Sequence, residues 1–527
     1  MLKPLSLQDT TYLYLETADT PAHVAGVSLV DLPEGYQGDF FAAYKATIAS
    51  RIPLIPFLHH KLARFPLDLE RPLWIEDEQL DLDYHIRRVT LPRPGTMHEL
   101  EALVARLHER PLDRSRPLWE FYVIEGLETG QPVIYTKMHH AAMDGAASQI
   151  LVSTMYDPTP VPRTLPRPAV PDDERGSLAN LVRGVVAQRL RRAIRAVQFF
   201  PELAQVLTHV ALPDPRTLRF RRIPPLPHAT WTRLNSGIDA ERVFAARTLS
   251  LPAIKQIARR TATKVNDVVL ALCGGALRGY LSDQHALPAR PLIAMVPIMA
   301  RDPADQSANQ NNLMLCSLAS DVADPYERLL AVHRSTDDQK QRFELLKGLP
   351  MPDIKVPAVG AIMRRLIGLW GHSRLAGHPP LLGNLTISNI PGPTIPLYIA
   401  GAKIASMYPC SIPYHGQAVN ITVESYCDRL DVGLIACRRV VPDLAQLADR
   451  LAPALAELEA AVAHHHPTAP EAPTASPRPA ERAEPVSAPI VAPDPTDSAP
   501  PMLSSAAAES LVWPIAPPSK RSPPWPN

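Results

Sequence analysis

Two histidines stand side by side in the run TKMHHAAMDGAAS at 136–148, and Asp144 and Gly145 follow them at short, fixed spacing. An imidazole titrates near neutral pH, so it can take a proton from a hydroxyl and hand it to a leaving group. The same stretch could be half of a metal site, or a polar turn between buried elements. Zinc takes three or four protein ligands, and the helical HExxH pair is absent, which weighs against a metal. No GxSxG elbow occurs, so a serine nucleophile on an α/β-hydrolase sheet is unsupported. A base without its own nucleophile fits direct attack by a bound alcohol or amine on an activated acyl group.

If Val133–His140 is extended, Ile134, Thr136, Met138 and His140 share one face and His139 points to the other. That makes His140 the working base and His139 its support. Asp144 would orient the loop, beside the permissive backbone of Gly145, or pair with a buried arginine. Arg301, closing the apolar run LIAMVPIMA, is the candidate partner.

The elements that must position these groups are legible around them. QPVIYTKMHH is a β-rich run entering the motif, and GAASQILVSTMYD reads as a helix leaving it. Further on, VNDVVLALCGGALRGYLSD reads as a helix, RPLIAMVPIMAR as a strand, LTISNIPGP as a strand into a turn, and AVNITVESYCDRLDVGLIAC as a hairpin of alternating strands. Interleaved strands and helices predict an α/β protein in two halves, at 1–160 and 241–463. Between them, 161–240 holds a proline-rich linker and a helical connector. There Leu178, Leu181, Val182, Val185, Val186, Leu190, Ile194 and Val197 recur at helical spacing among Arg183, Arg189, Arg191, Arg192 and Arg195. Such a basic amphipathic helix packs on the body of the protein or lies on a membrane surface. From 464 to 527 the chain is rich in proline and alanine, and 17 of the 59 prolines fall there. With little apolar periodicity, a disordered tail is expected.

Bulk properties exclude several classes. The net charge of +1 over 527 residues supplies no reason to expect nucleic acid as a partner. Five cysteines, an odd number without CxxC spacing, suggest reduced thiols in the cytoplasm. The N-terminus lacks the apolar core of a signal peptide. No apolar run approaches membrane-spanning length, so membrane contact is expected to be peripheral.

HHAAMDG at 139–145 resembles the HHxxxDG signature of acyl-CoA-dependent acyltransferases. Further stretches narrow the resemblance: Pro117-Leu118-Trp119 within RPLDRSRPLWEFYVIEGL, Asn266-Asp267 within TKVNDVVLALCGGALRGYL, and Ser388, Asn389, Pro391 and Gly392 within LTISNIPGP. With the opening PLSLQDTTYLYLETADTPAHVAGV, they make residues 4–460 similar to the bacterial wax ester synthase/acyl-CoA:diacylglycerol acyltransferases. The resemblance implies two chloramphenicol-acetyltransferase-like halves with a channel between them and His140 inside it. Long-chain acyl-CoA would be a substrate, diacylglycerol or a long-chain alcohol the acceptor, and no metal or bound cofactor would be needed. It also implies a cytoplasmic enzyme resting on the inner face of the membrane or on lipid droplets. Alternatives within the same chemistry are another acceptor, such as a polyketide or glycolipid; outside it, a catalytically silent lipid-droplet scaffold. The supporting motifs also have plain structural readings: Asn266 and Asp267 as a helix cap, Trp119 as core, and the NIPGP run as a turn.

Overall fold

The computed structural model describes residues 3–4, 10, 12–13, 15–63, 72–143, 145–165, 227–299, 311–347 and 383–466. Asp144, Arg301, the connector helix around 178–197 and the tail beyond 466 lie outside the described residues.

The first large sheet is built on β2 (His23–Asp31), β5 (Ile86–Thr90), β6 (Trp119–Glu125) and β7 (Val133–His139), joined by β12 (Tyr398–Ile399) and β13 (Ala402–Cys410) in the order β12-β13-β2-β7-β6-β5. The second contains β8 (Arg242–Ser250), β9 (Ile293–Met299), β10 (Asn311–Ser317), β11 (Leu385–Ile390), β14 (Val419–Tyr426) and β15 (Arg429–Cys437) in the order β10-β9-β11-β14-β15-β8. Among the described residues a small three-stranded sheet, β1 (Lys3–Pro4), β4 (Leu73–Glu76) and β3 (His60–Ala63), accompanies them.

The two sheets are not each drawn from one half of the chain alone. β13 comes from the later segment yet pairs antiparallel with β2, Tyr408 lying opposite Val27. It also crosses the second sheet closely: a Cβ on Gly433 would lie 1.7 Å from the Pro409 carbonyl oxygen. Only glycine permits that approach. The β14–β15 hairpin forms as expected, with Val423 opposite Val432. Its alternation does not become alternating exposure, because nearly every residue of β15 is buried. Helices cover one face and β13 passes over part of the other.

β7 shows why both faces of a central strand are apolar. Ile134 and Met138 enter a core with Phe40, Tyr44 and Ile48 of helix α1 (Phe40–Arg51). Val133 and Tyr135 enter another with Leu100 and Val104 of helix α2 (Met97–Glu109) and with Phe244 and Ile435 of the second sheet. Thr96 and Glu99 form a capping box that starts α2. Glu101 on α2 then accepts the Ala246 amide at 2.9 Å and the Arg247 guanidinium at 2.7 Å, fastening the two sheets through one helix. Helix α3 (Gly145–Met155) leaves the histidine motif, so Gly145 is its first residue. In the second half, helix α4 (Leu251–Arg260) precedes α5 (Val265–Asp283), which packs against α6 (Pro325–Lys347), α7 (Leu444–Asp449) and α8 (Leu451–His465). Among the described residues, no helix is long and apolar enough to cross a membrane.

Candidate active site

β7 ends at His139, one residue earlier than the extended reading assumes, and His140 opens a 3-10 turn that runs to Ala142. The two rings meet different surroundings, Glu16 and the Ala141 amide for His139 and the Tyr12 ring for His140, and His140 stands in the turn and not on the strand. Two backbone bonds hold the strand end: the His139 amide donates to the Leu118 carbonyl at 3.0 Å, and the His140 amide to the Ala22 carbonyl at 2.9 Å. Leu118 is followed by Trp119, whose side chain is wholly buried. Its indole N–H donates to the Leu58 carbonyl at 2.8 Å, and its ring stacks on His85 at 4.3 Å. Pro117 is buried just before them. The Pro117-Leu118-Trp119 element is thus core, and through the Leu118 carbonyl it also fixes the height at which the histidines emerge.

His139 is fully enclosed. Its Nδ1 accepts the Ala141 amide at 3.0 Å, so that nitrogen carries no proton and Nε2 carries one. Nε2 faces Glu16 Oε1 at 3.4 Å. Glu16 also accepts the Ala22 amide at 3.1 Å and Arg114 Nε at 2.7 Å. Burial alone would raise the Glu16 pKa, but His139, Arg114 and the Ala22 amide outweigh it and hold the carboxyl at about 2.

His140 is half-buried, with its ring stacked on Tyr12 at 3.8 Å between centroids and 15° between planes. Burial pushes its pKa down to about 4, its own backbone carbonyl pulling weakly the other way. The imidazole is therefore neutral at pH 7, the form that can accept a proton. Nδ1 is enclosed, and no other described residue hydrogen-bonds to it.

Behind this pair lies a polar core. Lys137 is wholly buried and donates to the carbonyls of Leu107, at 2.9 Å, and Arg110, where α2 ends. Burial pulls its pKa down to about 8 against the attraction of Glu120 and Glu16. His23 Nε2 donates to the His108 carbonyl at 2.7 Å. His108 Nδ1 accepts the Tyr135 hydroxyl at 2.9 Å, and its Nε2 donates to the Ser411 carbonyl at 3.0 Å. Burial holds His23 well below its usual pKa and His108 at about 3. No cluster of three or more His, Cys, Asp or Glu side chains poised to hold a metal occurs among the described residues.

The remaining motif residues gather in the second half. Asp267 is fully buried; it accepts the Lys264 amide at 3.0 Å, the His333 ring at 2.7 Å and the Thr336 hydroxyl at 2.7 Å, capping α5 and tying it to α6. Asn266 Oδ1 accepts the Asn389 side-chain amide at 3.4 Å, so two motifs far apart in sequence touch. Ser388 pairs with Thr422 across β11 and β14. The Gly392 amide donates to Ser425 Oγ at 3.1 Å, and a Cβ there would lie 2.1 Å from the Ser425 carbonyl oxygen. Asn389 and Pro391 line a cavity of about 170 Å³ together with Lys255, Val265, Thr394 and Ser425.

Tyr12, Glu16, Ala22 and Arg114 escape the reading by spacing. Glu16 and Arg114 are 98 residues apart and meet only when the chain folds, and Ala22 acts through its backbone.

A neutral imidazole thus follows the end of β7, with a buried imidazole held beside it. Residues 5–269 match the wax ester synthase/diacylglycerol acyltransferase catalytic domain, and residues 307–459 match the C-terminal domain of the same family. A Mycobacterium tuberculosis H37Rv protein named as a probable diacylglycerol O-acyltransferase is 35% identical over 469 residues, covering 86% of this chain and 98% of its own length. The O-acyltransferase WSD of Acinetobacter baylyi is 33% identical over 457 residues, covering 85% and 95%. Among solved structures, the wax ester synthase/diacylglycerol acyltransferase of Marinobacter aquaeolei VT8 superposes with a TM-score of 0.63 at 32% identity, covering 87% of this chain and all of that one. The chain belongs to the wax ester synthase/diacylglycerol acyltransferase family, and it is an acyltransferase.

Proposed function

We propose that this protein transfers a long-chain acyl group from acyl-CoA to diacylglycerol, to a long-chain alcohol, or to both, with His140 as general base and no covalent acyl-enzyme. Nε2 of His140 takes the acceptor's hydroxyl proton as the oxygen attacks the thioester carbon. The C–S bond breaks, and the proton passes from the imidazolium to the departing thiolate, leaving an ester and free coenzyme A. No metal or resident cofactor enters this sequence; acyl-CoA is a substrate.

The observation that carries the reading is the division of labour within the pair. His139 has both ring nitrogens turned to protein groups, Ala141 and Glu16, whereas His140 is neutral and only half-buried. The test is purified protein with palmitoyl-CoA and a panel of diacylglycerol, hexadecanol and shorter alcohols, with products separated by thin-layer chromatography. Free coenzyme A released without any ester would sink the reading.

Peripheral contact with the inner face of the membrane or with lipid droplets follows from the chemistry of these substrates, which partition into lipid. Ile390 and Ile395 support it, since both are exposed on the segment that carries the cavity-lining Asn389, Pro391 and Thr394. Flotation with liposomes, compared between wild type and a double Ile390→Ser, Ile395→Ser variant, tests the contact; equal flotation would count against this segment.

A further inference from the structure

Glu16 holds the backbone on both sides of His140. On one side, its Oε1 accepts the Ala22 amide at 3.1 Å, and the Ala22 carbonyl in turn accepts the His140 amide at 2.9 Å. On the other side, the same oxygen faces His139 Nε2 at 3.4 Å, and His139 Nδ1 accepts the amide of Ala141, the residue after His140. A third connection reaches the ring. Arg114 donates to Glu16 Oε2 through Nε at 2.7 Å and to the Leu13 carbonyl through Nη2 at 2.9 Å; the neighbouring Tyr12 stacks on His140. One buried carboxylate therefore anchors the two peptides flanking His140 and, through Arg114, the segment that presses on its imidazole.

The tautomer makes this arrangement directional. An imidazole has two neutral forms, and the partner of one nitrogen decides which is populated. With the Glu16 carboxylate opposite Nε2, the proton belongs on Nε2 and the lone pair on Nδ1, where the Ala141 amide needs an acceptor. If the proton moved to Nδ1, it would face the Ala141 N–H, donor against donor, and the 3-10 turn His140–Ala142 would lose its side-chain cap.

We propose that Glu16 is a positioning residue for acyl transfer, acting through His139 and Ala22 on the backbone that carries His140. It touches neither substrate nor the transferred proton. The proposal rests on reading His140 as the base. A displacement of about 1 Å at a reacting group can cost about 10²-fold in rate, which sets the scale of the expected loss.

The test compares Glu16→Ala, Glu16→Gln and Arg114→Met at matched folded fraction. Glutamine keeps an oxygen that can accept from Ala22 and face His139 Nε2 but removes the charge facing Arg114; Arg114→Met leaves the carboxylate in place. Glu16→Ala should lower kcat by roughly 10–100-fold, with KM for palmitoyl-CoA little changed. Glu16→Gln should recover most of that loss, and Arg114→Met, which cuts only the connection through Leu13, should lower kcat less than Glu16→Ala does. Nitrogen-15 spectra of histidine-labelled protein, with the His139 signals assigned by a His139→Gln variant, should show protonated Nε2 in wild type and a mixed tautomer in Glu16→Ala. If all three variants lose thermal stability together while kcat and the His139 signals stay as in wild type, Glu16 is only the partner of Arg114 and the proposal is overturned. Should Glu16→Ala not fold, Glu16→Asp replaces it: the carboxylate stays near Arg114 but retreats by one methylene from His139, and a wild-type kcat there also overturns the proposal. Failure of the base reading is separate, since it would appear as turnover retained by His140→Ala.

Discussion

Arg51 Nη2 lies 2.5 Å from Asp157 Oδ2, and the two side chains are only 3% and 1% exposed. Arg51 ends α1, and Asp157 follows the helix that leaves the histidine motif. Asp157 also exchanges backbone hydrogen bonds with Tyr398 at 2.8 Å in each direction and accepts Arg163 Nε at 2.9 Å. One ion pair thus fastens α1, the end of α3 and β12 behind the site. Breaking a buried pair by removing one partner costs about 3–5 kcal/mol, because a charge is left enclosed and uncompensated. Asp157→Ala should lose that much in denaturant unfolding while turnover per folded molecule stays close to wild type.

The histidine pair should separate cleanly in kinetics. Loss of a general base costs about 10²–10⁴ in rate, equivalent to about 3–5 kcal/mol of barrier. His140→Ala should keep its fold and bind palmitoyl-CoA, yet transfer almost no acyl group. His139→Ala should lose less turnover but more stability, since it uncaps the turn at Ala141. With His140 held at about 4, the acidic limb of kcat/KM in wild type should lie near that pH and not near 6.5. Stopped assays across pH 3.5–8 would locate it.

Acid should loosen the fold before carboxylates are protonated. His23 and His108 are buried and neutral, with pKa values held down by burial, well below 6.5 for His23 and at about 3 for His108. Below pH 6.5 the unfolded chain binds protons on these rings and the folded chain does not, so stability falls as pH drops through that window. Glu16, held at about 2, adds a second loss as pH falls below the ordinary glutamate value of 4.5. Thermal melts should show Tm declining from pH 6.5 downward, and His108→Gln should flatten the first part of that decline.

Glu424 has the opposite sign. It lies directly opposite Asp431 on the β14–β15 ladder. Burial first, and then the neighbouring Asp431 charge, push its pKa up to about 8. Between 4.5 and 8 the folded protein keeps a proton that the unfolded chain releases, so stability falls as pH rises through that range. Glu424→Gln should therefore raise Tm at pH 8 and leave it nearly unchanged at pH 4.5.

Trp119 sets the scale of the core around the site. Its indole is fully enclosed, stacked on His85 and bonded to the Leu58 carbonyl. Trp119→Ala should cost about 3–5 kcal/mol in urea unfolding. It should also lower kcat, because the Leu118 carbonyl one residue away holds the His139 amide.

The elements around the histidine pair were legible from the amino acids alone, because each rests on local physics. VNDVVLALCGGALRGYLSD is a helix over Val265–Asp283 since its apolar residues and its capping aspartate all lie within nineteen residues. The turn at NIPGP and the β14–β15 hairpin follow from proline, glycine and strand-forming runs in the same way. The neighbouring histidines announced proton chemistry because few other side chains titrate near neutrality. Tertiary structure decided what depends on distant chain segments meeting. It ended β7 at His139 and not His140, because the Ala22 carbonyl and the His139 ring draw the following amides into a turn. It moved β13 into the first sheet, because the edge of β2 offers it a ladder and Gly433 lets it cross. It also brought Glu16 to Arg114 and His139, since a buried carboxylate is stable only where cations and amides converge on it. No spacing along the sequence encodes that convergence.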